Sequence, residues 1–189
     1  MSNAIEIEAK ALVSQEDYRT LVRAFKEAER YAQTNYYIDS EDRILAKEGI
    51  ALRIREKGGI YELTLKTPLS QGLLEKTKII GMNEFTNLRD FGDFPHGDLE
   101  QFLIMLDIDV TQLKILTSLT TERVDVPYKG GLLSIDRNSY NGITDYEVEF
   151  EYNNMAEAEK ILLELLAEHK IKAPLSQKSK SRRAMDSIK

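Results

Sequence analysis

At 189 residues with 42% hydrophobic content, the chain is long enough to bury one sizeable core, so a single domain over 1–189 is the default expectation. A formal net charge of −6 argues against a general nucleic-acid or anionic-membrane binder, and the absence of cysteine removes disulfides, thiolate nucleophiles and sulfur-ligated metals. Met1-Ser2-Asn3-Ala4 has neither the basic nor the apolar region of a secretory signal, and no apolar run reaches membrane-spanning length, so a cytoplasmic protein is expected.

The first element is the segment Glu6-Ile7-Glu8-Ala9-Lys10, which alternates charged with small or apolar side chains. As a strand it places Glu6, Glu8 and Lys10 on one face, with Ile7 and Ala9 on the other. Two carboxylates about 7 Å apart along a strand, followed by an ammonium, can share a divalent cation and steer an anion beside it. Ser14 then caps a helix predicted to run to about Arg30, with Glu16 and Asp17 in its first turn and Leu21, Val22 and Phe25 on its apolar stripe. Strands are predicted at Asn35–Asp39, Ile50–Glu56, Tyr61–Thr67 and Leu74–Ile80, with a tight hairpin at Gly58-Gly59. From 83 to about 107 the pattern is helical, broken by Gly92, Pro95 and Gly97. Strands resume at Lys114–Pro127, Gly131–Asn138 and Thr144–Tyr152, with Gly130-Gly131 as a second hairpin turn. A periodic helix covers Ala156–Lys170, and a basic tail over 178–189 closes the chain. In that tail Met185 and Ile188 sit at helix-compatible spacing from Ala184, and Pro174 marks a turn back. The tail is therefore expected to be helical and to fold against the strands. His96, in a Pro/Gly/Asp-rich turn, and His169, at a helix end, are not expected to be catalytic.

The charged faces of these strands carry the functional signal. Arg53 and Arg55 alternate with Leu52 and Ile54; Glu62, Thr64 and Lys66 alternate with Leu63 and Leu65. Arg123 and Asp125 alternate with Val124 and Val126, Ser134 and Asp136 with Leu133 and Ile135, and Glu147, Glu149 and Glu151 with Val148 and Phe150. Around Glu75 the neighbours Lys76 and Lys78 are also charged, so alternation alone does not assign its face. Like charges 4–5 Å apart cost about 3–4 kcal/mol at an effective dielectric of about 20 unless solvent or counterions intervene. Two arrangements satisfy this pattern: an open antiparallel sheet with a solvated face, or a closed barrel with the charges in its lumen. The expected class is mainly β with flanking helices (α+β), a closed eight-stranded antiparallel β-barrel whose lumen suits a metal-bound polyanion.

These segments resemble the CYTH superfamily, the triphosphate tunnel metalloenzymes. The E-x-E-x-K opening is followed, in the family's order, by L-R-I-R, L-T-L-K, T-E-R-V, L-S-I-D and E-V-E-F-E. The resemblance covers the chain from Ile5 to the tail and is closest to small bacterial members with only this domain. It implies a closed eight-stranded barrel whose tunnel binds a triphosphate with Mg²⁺ or Mn²⁺. It also implies that Glu6, Glu8, Asp136, Glu147 and Glu149 bind metal. Lys10, Arg53, Arg55, Lys66 and Arg123 would bind phosphate, and Glu75 would point inward with them. The family's C-terminal lysine corresponds to Lys180, with Lys178 as a competing register, and the folded tail is expected to bring Lys180 to the tunnel mouth as one more phosphate-binding cation.

The chemistry this suggests is hydrolysis of a linear triphosphate. No Ser-His or Cys-His pair is placed for covalent catalysis, so direct attack by water is the simplest route, with Glu6, Glu8, Glu147 and Glu149 as the catalytic carboxylates. Oxygen-only ligands favour Mg²⁺ or Mn²⁺ over zinc. Thiamine triphosphatases of the family stack the thiamine ring on a tryptophan near the double-arginine strand. This chain has no tryptophan and carries Ala51 there, which favours inorganic tripolyphosphate. Class IV adenylyl cyclase and thiamine triphosphatase remain alternatives, as does a non-catalytic nucleotide or polyphosphate binder. A small-molecule triphosphate is the only partner expected, and a dimer is left open. Removing one carboxylate from a like-charged cluster is expected to stabilise the metal-free protein slightly. Glu62 and Asp125 are expected to be simple solvated pairs, and Glu151 a rim residue.

Overall fold

The computed structural model describes residues 2–68 and 73–189, with side chains over 7–68 and 74–189. Its strands are β1 (Ser2–Glu6), β2 (Glu8–Val13), β3 (Glu29–Asp39), β4 (Ala51–Lys57), β5 (Ile60–Pro68), β6 (Leu73–Ile80), β7 (Lys114–Tyr128), β8 (Gly131–Tyr140) and β9 (Ile143–Glu151). Its helices are α1 (Gln15–Ala24), α2 (Ile44–Lys47), α3 (Met82–Phe91), α4 (Asp98–Met105), α5 (Met155–Glu168) and α6 (Lys180–Asp186), with a 3-10 turn at Val110–Gln112. Among the described residues no helix is long and apolar enough to cross a membrane.

All strands belong to one antiparallel sheet in the order β1-β6-β5-β4-β3-β7-β8-β9-β2. The two outermost strands of that order are consecutive in the chain, separated only by Ile7. β1 pairs with β6 and β2 with β9, so the sheet curls until its edges meet at one continuous segment. The opening strand expected from the sequence is thus a single kinked strand serving both edges, which gives eight strands among the described residues. The seam is crossed by the chain itself rather than by a ladder between β6 and β9. The Tyr152 amide donates to the Ile7 carbonyl at 3.0 Å and fixes the kink.

The curled sheet is apolar outside and polar inside. On one side Leu52, Ile54, Leu63, Leu65 and Ile80 pack under Phe85 and Leu88 of α3 and Leu99 and Leu103 of α4. On the other, Ala9, Ala11, Val124, Leu133, Ile135, Val148 and Phe150 pack under Leu21 of α1 and Ile161, Leu162, Leu165 and Leu166 of α5. Each buried leucine or phenylalanine contributes about 1.5–3 kcal/mol, so cohesion is built on the exterior of the barrel by its helical jacket. A third, smaller cluster joins Tyr37, Leu119 and Tyr140 to Ala184 of α6, seating the C-terminal helix on the barrel.

Three differences from the sequence expectations have local causes. The helix after Ser14 stops at Ala24 instead of about Arg30, because Tyr31, Gln33, Asn35 and Tyr37 start a period-two face that pairs with both β4 and β7. The predicted 83–107 helix is two helices, split where Gly92 ends α3 in the left-handed region at φ 76°. The second hairpin turns at Lys129-Gly130, both at positive φ, while Gly131 already belongs to β8. Glycine is required at 131 for another reason: a Cβ there would collide with the Glu151 carbonyl oxygen and the Phe150 ring.

Candidate active site

Strand register assembles the lumen. Across β8 and β9 Asp136 stands opposite Glu147 and Ser134 opposite Glu149; across β7 and β8 Arg123 stands opposite Asp136. β3 and β4 set Asn35 against Arg55 and Tyr37 against Arg53, and β5 and β6 set Lys66 against Glu75. A cavity of about 450 Å³ opens among these faces, lined by Glu8, Lys10, Arg53, Arg55, Lys66, Arg123, Glu149 and Lys180. A second cavity, of about 600 Å³, lies between α2 and the C-terminal segment. It shares Tyr37, Gly49, Ala51 and Gln177 with the first.

One wall of the lumen is acidic and fully compensated. Carboxylate oxygens of Asp136, Glu147 and Glu149 lie within 4.8 Å of one another, all three residues being buried. Unopposed, each such pair would cost several kcal/mol. Lys180 opposes them: its Nζ is 2.8 Å from Asp136 Oδ2, 2.6 Å from Glu147 Oε2 and 2.5 Å from Glu149 Oε1. Arg123 donates to both oxygens of Asp136, at 2.8 and 2.7 Å, and to Glu149 Oε2 at 2.7 Å. Burial alone would raise the Glu149 carboxyl, but Lys180, Arg123 and Lys10 hold it well below the usual carboxylate range. Burial likewise works against the Lys180 ammonium, and Asp136, Glu149 and Glu147 more than offset it, so its pKa is raised.

The facing wall is cationic and under-compensated. Arg53 and Arg55 are neighbours on one face of β4. Arg53 Nε is buried without a hydrogen-bond partner, the sole such side-chain atom among the described residues. Arg55 reaches Asn35 Oδ1 at 3.4 Å and Glu62 at 3.9 Å. The Arg53 charge, then burial, then Arg123 push the Arg55 guanidinium down to about 10. Lys66 pairs with Glu75 at 3.2 Å, which places Glu75 inward, and Lys10 pairs with Glu8 at 2.6 Å.

The sequence-derived candidates distribute as follows. Asp136, Glu147 and Glu149 come together as a possible metal-binding group, whereas Glu8 stands apart from it with Lys10. The side chain of Glu6 lies outside the described residues. Arg53, Arg55, Lys66, Arg123, Lys10 and Glu75 share the lumen, and Lys180 enters it from α6. Lys178, its rival, instead pairs with Asp186 at 3.0 Å with half its side chain exposed. Asp125 is more than a solvated pair: it accepts from Tyr31 Oη at 2.6 Å and from Ser134 Oγ at 2.7 Å. His96 is exposed and pairs with Glu100. The donor set fits a hard divalent cation: three buried carboxylates supply oxygen ligands only, and the chain has no cysteine.

Sequence reasoning did not reach the network behind this wall. Arg183 binds Glu147 and Asp145; Asp145 also accepts from Tyr140 Oη at 2.7 Å and Asn138 Nδ2 at 2.9 Å, and Asn138 accepts from Thr121 at 2.7 Å. The signal was present, since Asp145 continues the parity of Glu147 and Glu149, and Arg183 follows Lys180 by three positions on a helix. Gln33, Asn35 and Tyr37 also line the lumen.

A family model for the CYTH domain matches residues 4–185. The chain belongs to the CYTH family. This CYTH protein is 34% identical over 173 residues, 90% of each chain, to the Bacillus subtilis (strain 168) protein named "Putative triphosphatase YjbK". It matches the crystal structure of a "putative adenylate cyclase (bh2851)" from Bacillus halodurans with TM-score 0.89 and 36% identity, over 97% of this chain and 98% of that one. HpAC1 from Hippeastrum shares the fold, with TM-score 0.81 at 21% identity over 96% of both chains.

Proposed function

We propose that this CYTH protein hydrolyses the terminal phosphoanhydride of a linear triphosphate in its lumen, with inorganic tripolyphosphate as the favoured substrate. Mg²⁺ or Mn²⁺ would be held by Asp136, Glu147 and Glu149. The observation that carries this reading is the imbalance of the cationic wall. Arg53 has a buried, unpartnered Nε, and Arg55 is pushed down to about 10 beside it, so both would be relieved by a polyanion. The triphosphatase name borne by YjbK supports the same reading.

In this mechanism Arg53 and Arg55 grip phosphate oxygens through their planar forks and orient the chain. Lys66, positioned by Glu75, and Lys10, positioned by Glu8, add two further charges. Arg123 sits between the walls, tied to Asp136 and Glu149, and offers its charge to the side where negative charge develops in transfer. A divalent cation, when bound, supplies charge neutralisation and a more acidic water ligand. Glu8, outside the metal-holding three, is the carboxylate available to accept a proton from the attacking water. Inorganic tripolyphosphate needs nothing beyond these groups.

A second reading is favoured by one observation. The 600 Å³ cavity adjoining the lumen has room for an organic group, and the Bacillus halodurans protein bears an adenylate cyclase name. The test is incubation of the purified protein with tripolyphosphate, and separately with ATP, in Mg²⁺ or Mn²⁺ and in EDTA. Metal-dependent orthophosphate release from tripolyphosphate is expected. Cyclic AMP and pyrophosphate from ATP would mark a cyclase, and binding without turnover a non-catalytic module.

A further inference from the structure

The ammonium of Lys180 stands where its distances to Asp136, Glu147 and Glu149 are all between 2.5 and 2.8 Å. That is the common focus of the three carboxylates, the point a hard cation would occupy if the same three oxygens held it. An ammonium and a divalent ion cannot share it, since they repel and compete for the same lone pairs. Lys180 is also built to leave. Its backbone is fixed by the Ser179 cap, which accepts from the Arg182 amide at 3.2 Å, and by the bond from Asn141 Nδ2 to the Ala184 carbonyl at 3.1 Å. Arg183, one turn along, holds Glu147 independently at two points. The helix can therefore stay seated while the flexible four-carbon stem swings. The cavity beside it, bounded by Ser179, Ser181, Lys10 and Arg53, offers the space.

We infer that Lys180 is a built-in stand-in for the metal: its ammonium neutralises the three carboxylates when no metal is bound, and is expelled into the lumen when one enters. This rests on the reading of Asp136, Glu147 and Glu149 as the metal site. Its consequence is a linkage. Metal binding works against the displaced ion pairs, so the wild type binds metal more weakly than the bare carboxylates would. The freed ammonium becomes one more cation for the triphosphate, so metal and triphosphate assist each other through a single side chain.

The test uses the metal alone. MnCl₂ is titrated calorimetrically into metal-free wild type and Lys180→Met without triphosphate, and thermal melts are recorded with and without Mn²⁺. Lys180→Met should bind Mn²⁺ about tenfold more tightly, and its melting point, lowered without metal, should rise more on adding Mn²⁺ than that of the wild type. In the wild type, labelling of Lys180 by an amine-reactive reagent, read by peptide mass spectrometry, should be slow without Mn²⁺ and several-fold faster with it. This measurement does not depend on the variant folding. Wild type and variant binding Mn²⁺ equally, or labelling unchanged by a metal that does bind, overturns the inference and leaves the metal site standing. No binding by either protein overturns both.

Discussion

Arg183 grips Glu147 through two parallel bonds, Nη1 to Oε1 and Nη2 to Oε2, each 3.0 Å long, with both residues buried. The same guanidinium reaches Asp145 through Nε at 2.9 Å. One side chain on the C-terminal helix thus fixes a carboxylate of the candidate metal group and anchors that helix to β9. Arg183→Ala leaves two carboxylates short of a partner and should destabilise the fold by about 3 kcal/mol, measured by urea denaturation. Arg183→Lys should recover only part of this, since an ammonium cannot reproduce the fork.

Glu147→Gln should abolish metal-dependent phosphate release to within a few per cent of wild type or less. It should also lower the melting temperature. The sequence pattern argued for slight stabilisation by removal of a like charge, and the structure reverses that sign because Lys180 and Arg183 are already bound to Glu147. A variant that is inactive and more stable without metal would show these cations to be elsewhere in solution.

On the opposite wall the sign is the other way. Arg53→Ala or Arg55→Ala removes a charge-assisted contact of about 1.5–3 kcal/mol, so affinity for tripolyphosphate, read by calorimetry with Mg²⁺ present, should fall roughly 10- to 150-fold. Arg55→Gln should raise stability without ligand, because the Arg53 charge already disfavours the Arg55 cation in the folded state. Loss of both affinity and stability would count against a phosphate-gripping role.

The pH dependence of stability follows from Glu149 and Lys180. The Glu149 carboxyl is held below its unfolded value, so the folded state binds fewer protons there; its contribution is complete above about pH 4.5 and is lost as pH falls further. The Lys180 ammonium is raised above its unfolded value, so its contribution is present below about pH 10.5 and fades only at more alkaline pH. Denaturant midpoints across the acid range should therefore fall more steeply for wild type than for Glu149→Gln.

Gly131→Ala places a methyl group against the Glu151 carbonyl and the Phe150 ring, with Phe150 fully buried in the outer cluster. Overpacking at this point should cost about 1–3 kcal/mol, visible as a lower melting temperature with little change in triphosphate affinity.

Much of the wall chemistry was legible because period-two alternation is a strict consequence of the pleat. Once Leu52 and Ile54 face the helices, Arg53 and Arg55 must face the lumen, and the same holds for Leu133 and Ile135 against Asp136. Glu75 was not legible that way, flanked as it is by Lys76 and Lys78. Its pairing with Lys66 depends on register between β5 and β6. The kink at Ile7 was invisible for a similar reason, since nothing local tells a strand to change partners. Arg183 and the Asp145 network depend on where a short helix docks, which is a tertiary matter. The Asn141-Gly142 turn, at φ 45° and 78°, is readable from its dipeptide, whereas the bond by which Asn141 also holds α6 is not.

The kink at Ile7 also dictates when the molecule can be finished. β2 is among the last strands to find its place, because it has no partner until β9, ending at Glu151, has been synthesised. Until then β2 lacks its partner even where β1 has already paired with β6, and closing the ring joins contacts separated by most of the chain. Refolding should accordingly end in a slow step confined to the β2–β9 seam. An N-terminal extension carried over from expression would retard that step more than any equally long insertion in the α3–α4 region.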